Sequence, residues 1–330
     1  MHGSTEREKV RFTSGGTACA AWYYPGTNGG CVIMAGGFAV TKEPGTDRFA
    51  RPFNEAGFAV LAFDYRHLGE SGGRPRQIVR IKEQLADWQA AIDFAARLPG
   101  VDPDKLAIWG FSASGGHVFR VAARNPQLAA AIAQTPNADG RAAALNMMRH
   151  QKPLAALRLT GRGVLDALGG LAGRPPRLVA LDGEPGEVAL LTTPDAIGGG
   201  RVLDPDGRYA DWQQAVAARS ALPLGFYRPG RDAVRVRFPL LVVVCDQDTA
   251  ALAPPSVAAQ RRAPRGELVR LPGGHYAPFK EAHEAAVAAE LDFLRRHLLG
   301  PAETTTETTD TGTDTGTDAD TDADTDAADT

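Results

Sequence analysis

The segment Ile108-Trp109-Gly110-Phe111-Ser112-Ala113-Ser114-Gly115-Gly116 sets a serine among small residues, after an apolar run and before a helical stretch. Strand, sharp turn and helix in that order lift the Ser112 hydroxyl above a sheet edge, at a helix N-terminus where developing negative charge is favoured. A serine that attacks a carbonyl needs a base to take its proton and an acid to orient the base. Among seven histidines, His275 stands in Leu271-Pro272-Gly273-Gly274-His275-Tyr276, a loop between an apolar run and the closing helical stretch. His2 is terminal, His117 lies on the helix after the turn, His283 and His297 fall on the final helix, and His67 and His150 have no motif around them. The acid is expected between serine and histidine, where Leu240–Cys245 runs into Asp246-Gln247-Asp248. The order is therefore Ser112, then Asp248 or Asp246, then His275. The second glycine of a Gly-x-Ser-x-Gly turn is Ser114 here, small enough to be tolerated. A Gly/Ser-rich helix cap without chemistry is the plainer alternative, and the strand–turn–helix context weighs against it.

The elements that would hold these residues alternate along the chain. Lys9–Thr13 and Thr17–Tyr24 flank Ser14-Gly15-Gly16 and read as a hairpin. Apolar strands are expected at Cys31–Ala35, Ala59–Tyr65, Leu106–Gly110, Leu128–Gln134, Pro239–Cys245 and Glu267–Leu271. Helices are expected at Ile81–Arg97, Ala113–Arg124, Pro255–Arg262 and Phe279–Leu299. Such alternation means an α/β fold, a mainly parallel sheet covered on both faces. Residues 137–236 break the rhythm, with scattered Pro and Gly, two possible helices (Arg141–Arg149 and Ala210–Ala221) and no clean strand alternation. Lying between two core strands, they read as a cap inserted over the sheet. Met147, Met148, Trp212, Phe226 and Tyr227 are its candidate pocket walls. The domain plan is thus a core at 1–136, the cap at 137–236, and the rest of the core at 237–300. Residues 301–330 form a Thr/Asp tail expected to be disordered, because it has no large apolar side chain to offset the entropy of ordering.

Composition narrows the function classes. Apolar residues make up 43% and charged residues 23% of 330, ordinary for a globular protein. Eight Asp and two Glu fall in 303–330 without a Lys or Arg, and the remainder carries 36 basic against 29 acidic groups. Thirty of those basic residues are Arg, in no dense cluster, so nucleic acid is not an expected partner. No apolar run reaches spanning length and the N-terminus is charged, so neither a membrane partner nor a signal peptide is expected. Cys19, Cys31 and Cys245 form no CxxC and read as buried thiols in a reducing cytoplasm.

Taken together, the order and contexts of these residues resemble the α/β-hydrolase superfamily over roughly residues 9 to 300. The likeness sharpens at Val32-Ile-Met-Ala-Gly-Gly-Phe38-Ala-Val-Thr-Lys-Glu43, at Phe63-Asp-Tyr-Arg-His-Leu-Gly-Glu-Ser-Gly-Gly73 and at Pro272-Gly-Gly-His275. These are similar to the X-prolyl-dipeptidyl-peptidase-like and dienelactone-hydrolase-like branch. The resemblance implies an eight-stranded sheet, Ser112 as nucleophile, His275 as base, Asp248 as its partner, and an oxyanion hole from the backbone N–H groups of Phe38 and Ala113. It also implies hydrolysis of a small-molecule ester or thioester through an acyl-enzyme, without metal or organic cofactor. Acyl transfer on the same triad and a non-catalytic binding protein are the alternatives. The Gly69-Glu-Ser71-Gly72 loop is expected to be structural.

Overall fold

Gly15 and Gly16 take positive φ values of +54° and +75°, the backbone of a two-residue turn that matches the twist of the strands it joins. They close β1 (Glu8–Ser14) onto β2 (Thr17–Tyr24) in the antiparallel hairpin read from the sequence. The structure, a computed structural model, describes residues 7–300; the Thr/Asp tail lies outside the described residues. After the hairpin come β3 (Cys31–Ala35), α1 (Asp47–Glu55), β4 (Ala59–Phe63), α2 (Ile81–Ala95), β5 (Leu106–Phe111), α3 (Ala113–Ala122) and β6 (Ala130–Gln134). Between β6 and the next core strand stand α4 (Gly140–Arg149), α5 (Pro153–Leu171), β7 (Leu178–Asp182), β8 (Ala189–Leu191), α6 (Gly199–Leu203) and β9 (Ala215–Ala217). The core resumes with β10 (Leu240–Cys245), α7 (Ala253–Arg262), β11 (Gly266–Leu271) and α8 (His283–Leu294).

The large sheet has eight strands in the order β1-β2-β4-β3-β5-β6-β10-β11. From β4 to β11 every pairing is parallel. Every residue of β3, β4, β5, β6 and β10 is buried, which is why they read as unbroken apolar runs rather than alternating ones. This is the α/β-hydrolase fold expected from the sequence. Parallel order brings the C-terminal ends of β3, β5, β6, β10 and β11 to one edge, and with them Phe38, Ser112, Asp248 and His275.

Two expectations need correction, and the stretch 137–236 gains detail. Residues 210–221 are not a helix: β9 occupies Ala215–Ala217 and a tight 3₁₀ turn follows at Ala218–Ala221. The backbone there is claimed from outside, since Gln77 O accepts from Ala217 N–H and the Gln77 amide donates to the carbonyls of Gln213 and Ala215. Residues 137–236 do contain strands, a small sheet in the order β8-β7-β9. Its strands are too short for a readable alternation. The final helix starts at His283 rather than Phe279, because Ala277–Phe279 form a separate 3₁₀ turn. Helices α1 and α5 carry no expectation from the sequence; Pro52 lies inside the first and four glycines inside the second, all poor helix formers.

Candidate active site

Ser112 sits between β5 and α3 at φ +57°, ψ −113°, a backbone conformation that a non-glycine residue holds only when its surroundings enforce it. Enforcement comes from β6 and the loop after it: Ser112 N–H donates to Gln134 O at 3.0 Å, and Ser112 O accepts from Gly116 N–H and Asn137 N–H at 2.9 Å each. The turn is too tight for side chains beside it. A Cβ on Gly110 would lie 2.5 Å from Ser114 O, and one on Gly115 would lie 2.9 Å from Gln134 O. Ser114 has room, and its hydroxyl is used. It donates to Gly36 O and accepts from the Tyr65 hydroxyl at 2.6 Å. The serine that departs from the glycine pattern therefore ties the turn to the loop after β3.

His275 reaches the site from the loop after β11. Its Nε2 lies 3.0 Å from Ser112 Oγ and its Nδ1 2.8 Å from Asp248 Oδ2. A carboxylate can only accept, so Nδ1 carries the hydrogen and Nε2 is left to accept from the serine. Asp248 is buried, and its other oxygen accepts from the N–H groups of Ala250 and Ala251 at 2.9 and 2.6 Å. Asp246, the alternative acid, is instead 44% exposed and pairs with Arg270 at 2.6 Å. Burial disfavours the charged form of His275. The Asp248 charge and hydrogen bond outweigh it, with the Asp195 charge adding to them, and the imidazole pKa is raised above its ordinary value.

Asp195 was not legible as a site residue. It stands between β8 and α6, and its Oδ2 accepts from His275 N–H at 2.9 Å and Thr249 N–H at 2.8 Å, while Oδ1 accepts from the Thr249 hydroxyl. One carboxylate thus grips both the loop carrying the acid and the loop carrying the base. It lies 80 positions from His275 in a Pro/Gly-rich stretch, and nothing local in that stretch marks it.

Phe38 and Ala113 both face the space before Ser112, and their N–H groups have no acceptor among the described residues. That space is a cavity of about 70 Å³ walled by Val79, Ile81, Leu190, Leu191, Leu224 and Tyr227, with Asn137 at one side. Asn137, Leu190, Leu191, Leu224 and Ala250 also line a neighbouring cavity of about 100 Å³ that extends to Ala143, Ala144 and Met147 of α4. A third cavity, of about 30 Å³, meets Ser112 from the side of Leu203, Trp212 and Tyr276. Of the expected pocket walls, Met147, Trp212 and Tyr227 line these cavities, whereas Met148 and Phe226 are 60% and 88% exposed. His117 is buried at the cavity wall, accepting from the Tyr227 hydroxyl at 2.8 Å and donating to Gln84 Oε1 at 3.0 Å. Burial, with the nearby Arg120 charge, lowers its pKa to about 3, so it is a neutral wall. The Gly69-Glu-Ser71-Gly72 loop lies away from these residues; Ser71 Oγ accepts from Ala20 N–H at 2.8 Å and donates to Asp64 O at 2.6 Å.

Comparison with known proteins bears on the family and the fold. The chain is 37% identical over 291 residues to the quorum-quenching protein AidA of Acinetobacter baumannii (strain MDR-ZJ06), spanning 87% of this chain and 94% of that protein. It is 34% identical over 183 residues to the polyketide transferase ATR5 of Stachybotrys chlorohalonatus (strain IBT 40285), spanning 55% of this chain and 59% of that one. The crystal structure of the alpha/beta hydrolase GrgF from Penicillium sp. sh18 superposes with a TM-score of 0.74 at 22% identity, covering 89% of this chain and 99% of GrgF; at that identity the likeness concerns the fold alone. Residues 31–290, from the first buried parallel strand to the last helix, match the model of the alpha/beta hydrolase family, and to that family the chain belongs.

Proposed function

We propose that this protein is a serine hydrolase that cleaves a carboxylic ester or thioester through an acyl-enzyme. The observation that carries the reading is the unbroken path Ser112 Oγ, His275 Nε2, His275 Nδ1, Asp248 Oδ2, at 3.0 and 2.8 Å, opening on an apolar cavity. In this reading His275 takes the Ser112 proton as Oγ attacks the carbonyl. Asp248 holds the imidazole in the accepting tautomer and stabilises the imidazolium. The oxyanion points at the free N–H groups of Phe38 and Ala113, each such donor being worth about 3 kcal/mol to the transition state. The acyl or alcohol part occupies the apolar cavities, and the insertion at 137–236 acts as the cap that walls them. His275 then returns the proton to the leaving group and activates water to free Ser112. No step calls on a metal or an organic cofactor. The glycine-rich segments after β3 and before His275 resemble those of the X-prolyl-dipeptidyl-peptidase-like and dienelactone-hydrolase-like branch, and that resemblance supports reading the chain as one of its members. Three buried free thiols fit a reducing, cytoplasmic setting.

One observation favours a second reading, acyl transfer on the same residues: the likeness to a protein named as a polyketide transferase. A fluorophosphonate probe together with p-nitrophenyl esters, acyl thioesters and acyl lactones separates the readings. Labelling with turnover in water is the expected result. Labelling with acyl release only to an added alcohol or amine would favour transfer, and a protein that neither labels nor turns over would be a binding protein. Ser112→Ala should lose labelling and several orders of magnitude of turnover with its melting temperature unchanged.

A further inference from the structure

Helix α5 is built inside out. Its buried positions are Ala155, Gly163 and Asp166, while Leu154, Leu157, Val164, Leu165, Leu168 and Leu171 are exposed, from 45% for Val164 to 88% for Leu171. At 3.6 residues per turn the exposed side chains fall within one arc of about 120°. The helix cannot simply roll to hide them. Asp166 fixes it, accepting from Arg177 N–H at 2.7 Å and Arg219 N–H at 3.0 Å and pairing with the Arg219 guanidinium at 3.1 Å. Turning the leucines inward would leave that carboxylate without its partners. On the preceding helix α4, Leu145 and Met148 are also exposed. A surface this apolar is kept by a chain that has something to cover it.

Charge identifies what covers it. Between Leu145 and Leu181 every exposed charged side chain is basic: Arg149, Lys152, Arg158, Arg162, Arg174 and Arg177, and the lone acid, Asp166, is buried. Arg158 and Arg162 run along one edge of the leucine arc. A second copy packed on α5 would set these arginines against a helix that exposes no acid of its own. The chain's own acidic segment 303–330 offers carboxylates but no large apolar side chain to set against leucines. The arc has no Trp or Tyr of the sort that anchors protein interfaces. Aliphatic side chains flanked by arginine are what a helix needs to lie in the boundary between acyl chains and anionic headgroups.

We propose that α5 docks this protein on an anionic lipid surface, with its leucine arc in the acyl layer and Arg158 and Arg162 at the headgroups. No helix among the described residues is long and apolar enough to cross a membrane. The expectation of no membrane partner rested on the lack of a spanning segment, which a helix lying on the surface does not need. The inference is independent of the reaction at Ser112.

The test is flotation of the full chain with vesicles of pure phosphatidylcholine, and of equal parts phosphatidylcholine and phosphatidylglycerol, at low and high salt. The protein should float with the anionic vesicles, far less with the neutral ones, and less as salt rises. Leu157→Glu with Leu168→Glu should weaken binding by about tenfold or more. Arg158→Glu with Arg162→Glu should weaken it by about thirtyfold and abolish the preference for phosphatidylglycerol. All these positions are exposed, and unchanged melting temperatures confirm the variants are folded. No flotation with anionic vesicles, or equal flotation of both variants and wild type, overturns the proposal. So does light scattering that shows a dimer which the leucine variant converts to monomer, since the arc would then face a second copy.

Discussion

At the scale of single residues, the acid is the assignment that the sequence left open, and side-chain geometry favours Asp248 for the proposed role. Asp248→Asn removes the acceptor that holds the His275 tautomer and should lower kcat by about 10³- to 10⁴-fold. Asp246→Asn breaks an exposed pair with Arg270, an interaction worth about 1 kcal/mol or less, and should leave turnover within about twofold. Steady-state kinetics on one ester at matched stability decides between them, and the reverse ranking would move the role to Asp246. The histidine makes a second prediction. Falling pH protonates His275, and a protonated imidazole cannot accept from Ser112, so kcat/KM is lost on the acid side. Because its pKa is raised, that loss should be centred above the ordinary histidine value. Asp195→Asn takes away one of the charges that raise it, and should shift the acid limb to lower pH; a profile that superposes on wild type would remove Asp195 from the electrostatics of the site. Ser112 and His275 were legible because short local patterns surround them. Asp195 was not, since its role consists of backbone contacts to two loops far away in sequence.

At the scale of elements, the turn between β5 and α3 is the part whose sequence most nearly dictates its structure. Gly110→Ala would push a methyl group against the Ser114 carbonyl, and should cost about 1–3 kcal/mol of stability along with most activity. Ser114→Ala is the subtler change. It keeps the backbone and deletes the hydroxyl that joins Tyr65 to Gly36 O, loosening the loop that presents Phe38. The expected outcome is a fall in kcat of about tenfold with KM nearly unchanged, read from kinetics at equal melting temperature; a change in KM alone would mean that Ser114 shapes the cavity instead. Buried parallel strands and the opening hairpin were legible for a related reason, that unbroken apolar runs and a Gly-Gly turn have few other structural uses. β9 and α5 escaped because each is decided by partners elsewhere. Gln77 captures the backbone of the first, and Asp166 sets which way the second faces.

At the scale of the whole molecule, the chain joins a body with more basic than acidic groups to a segment, 303–330, that has ten carboxylates and no basic residue. Lacking large apolar side chains, that segment is expected from its composition to add nothing to a packed core. Its deletion should change the melting temperature by less than roughly 2 °C and leave ester turnover as it was; calorimetry that shows a larger drop would mean the segment binds the body. The grip of Asp195 on the loops of Asp248 and His275 has a consequence for how such proteins diverge. Residues 137–236 supply part of the cavity wall, Leu190, Leu191, Leu224 and Tyr227 among it, together with this carboxylate. Under the proposed function, exchanging that stretch for one without an acid at position 195 would alter which acyl groups fit and, in the same event, lower the basicity of His275. Pocket shape and the acid limb of the pH profile would then change together in such a hybrid, a new pocket arriving with an unmatched base.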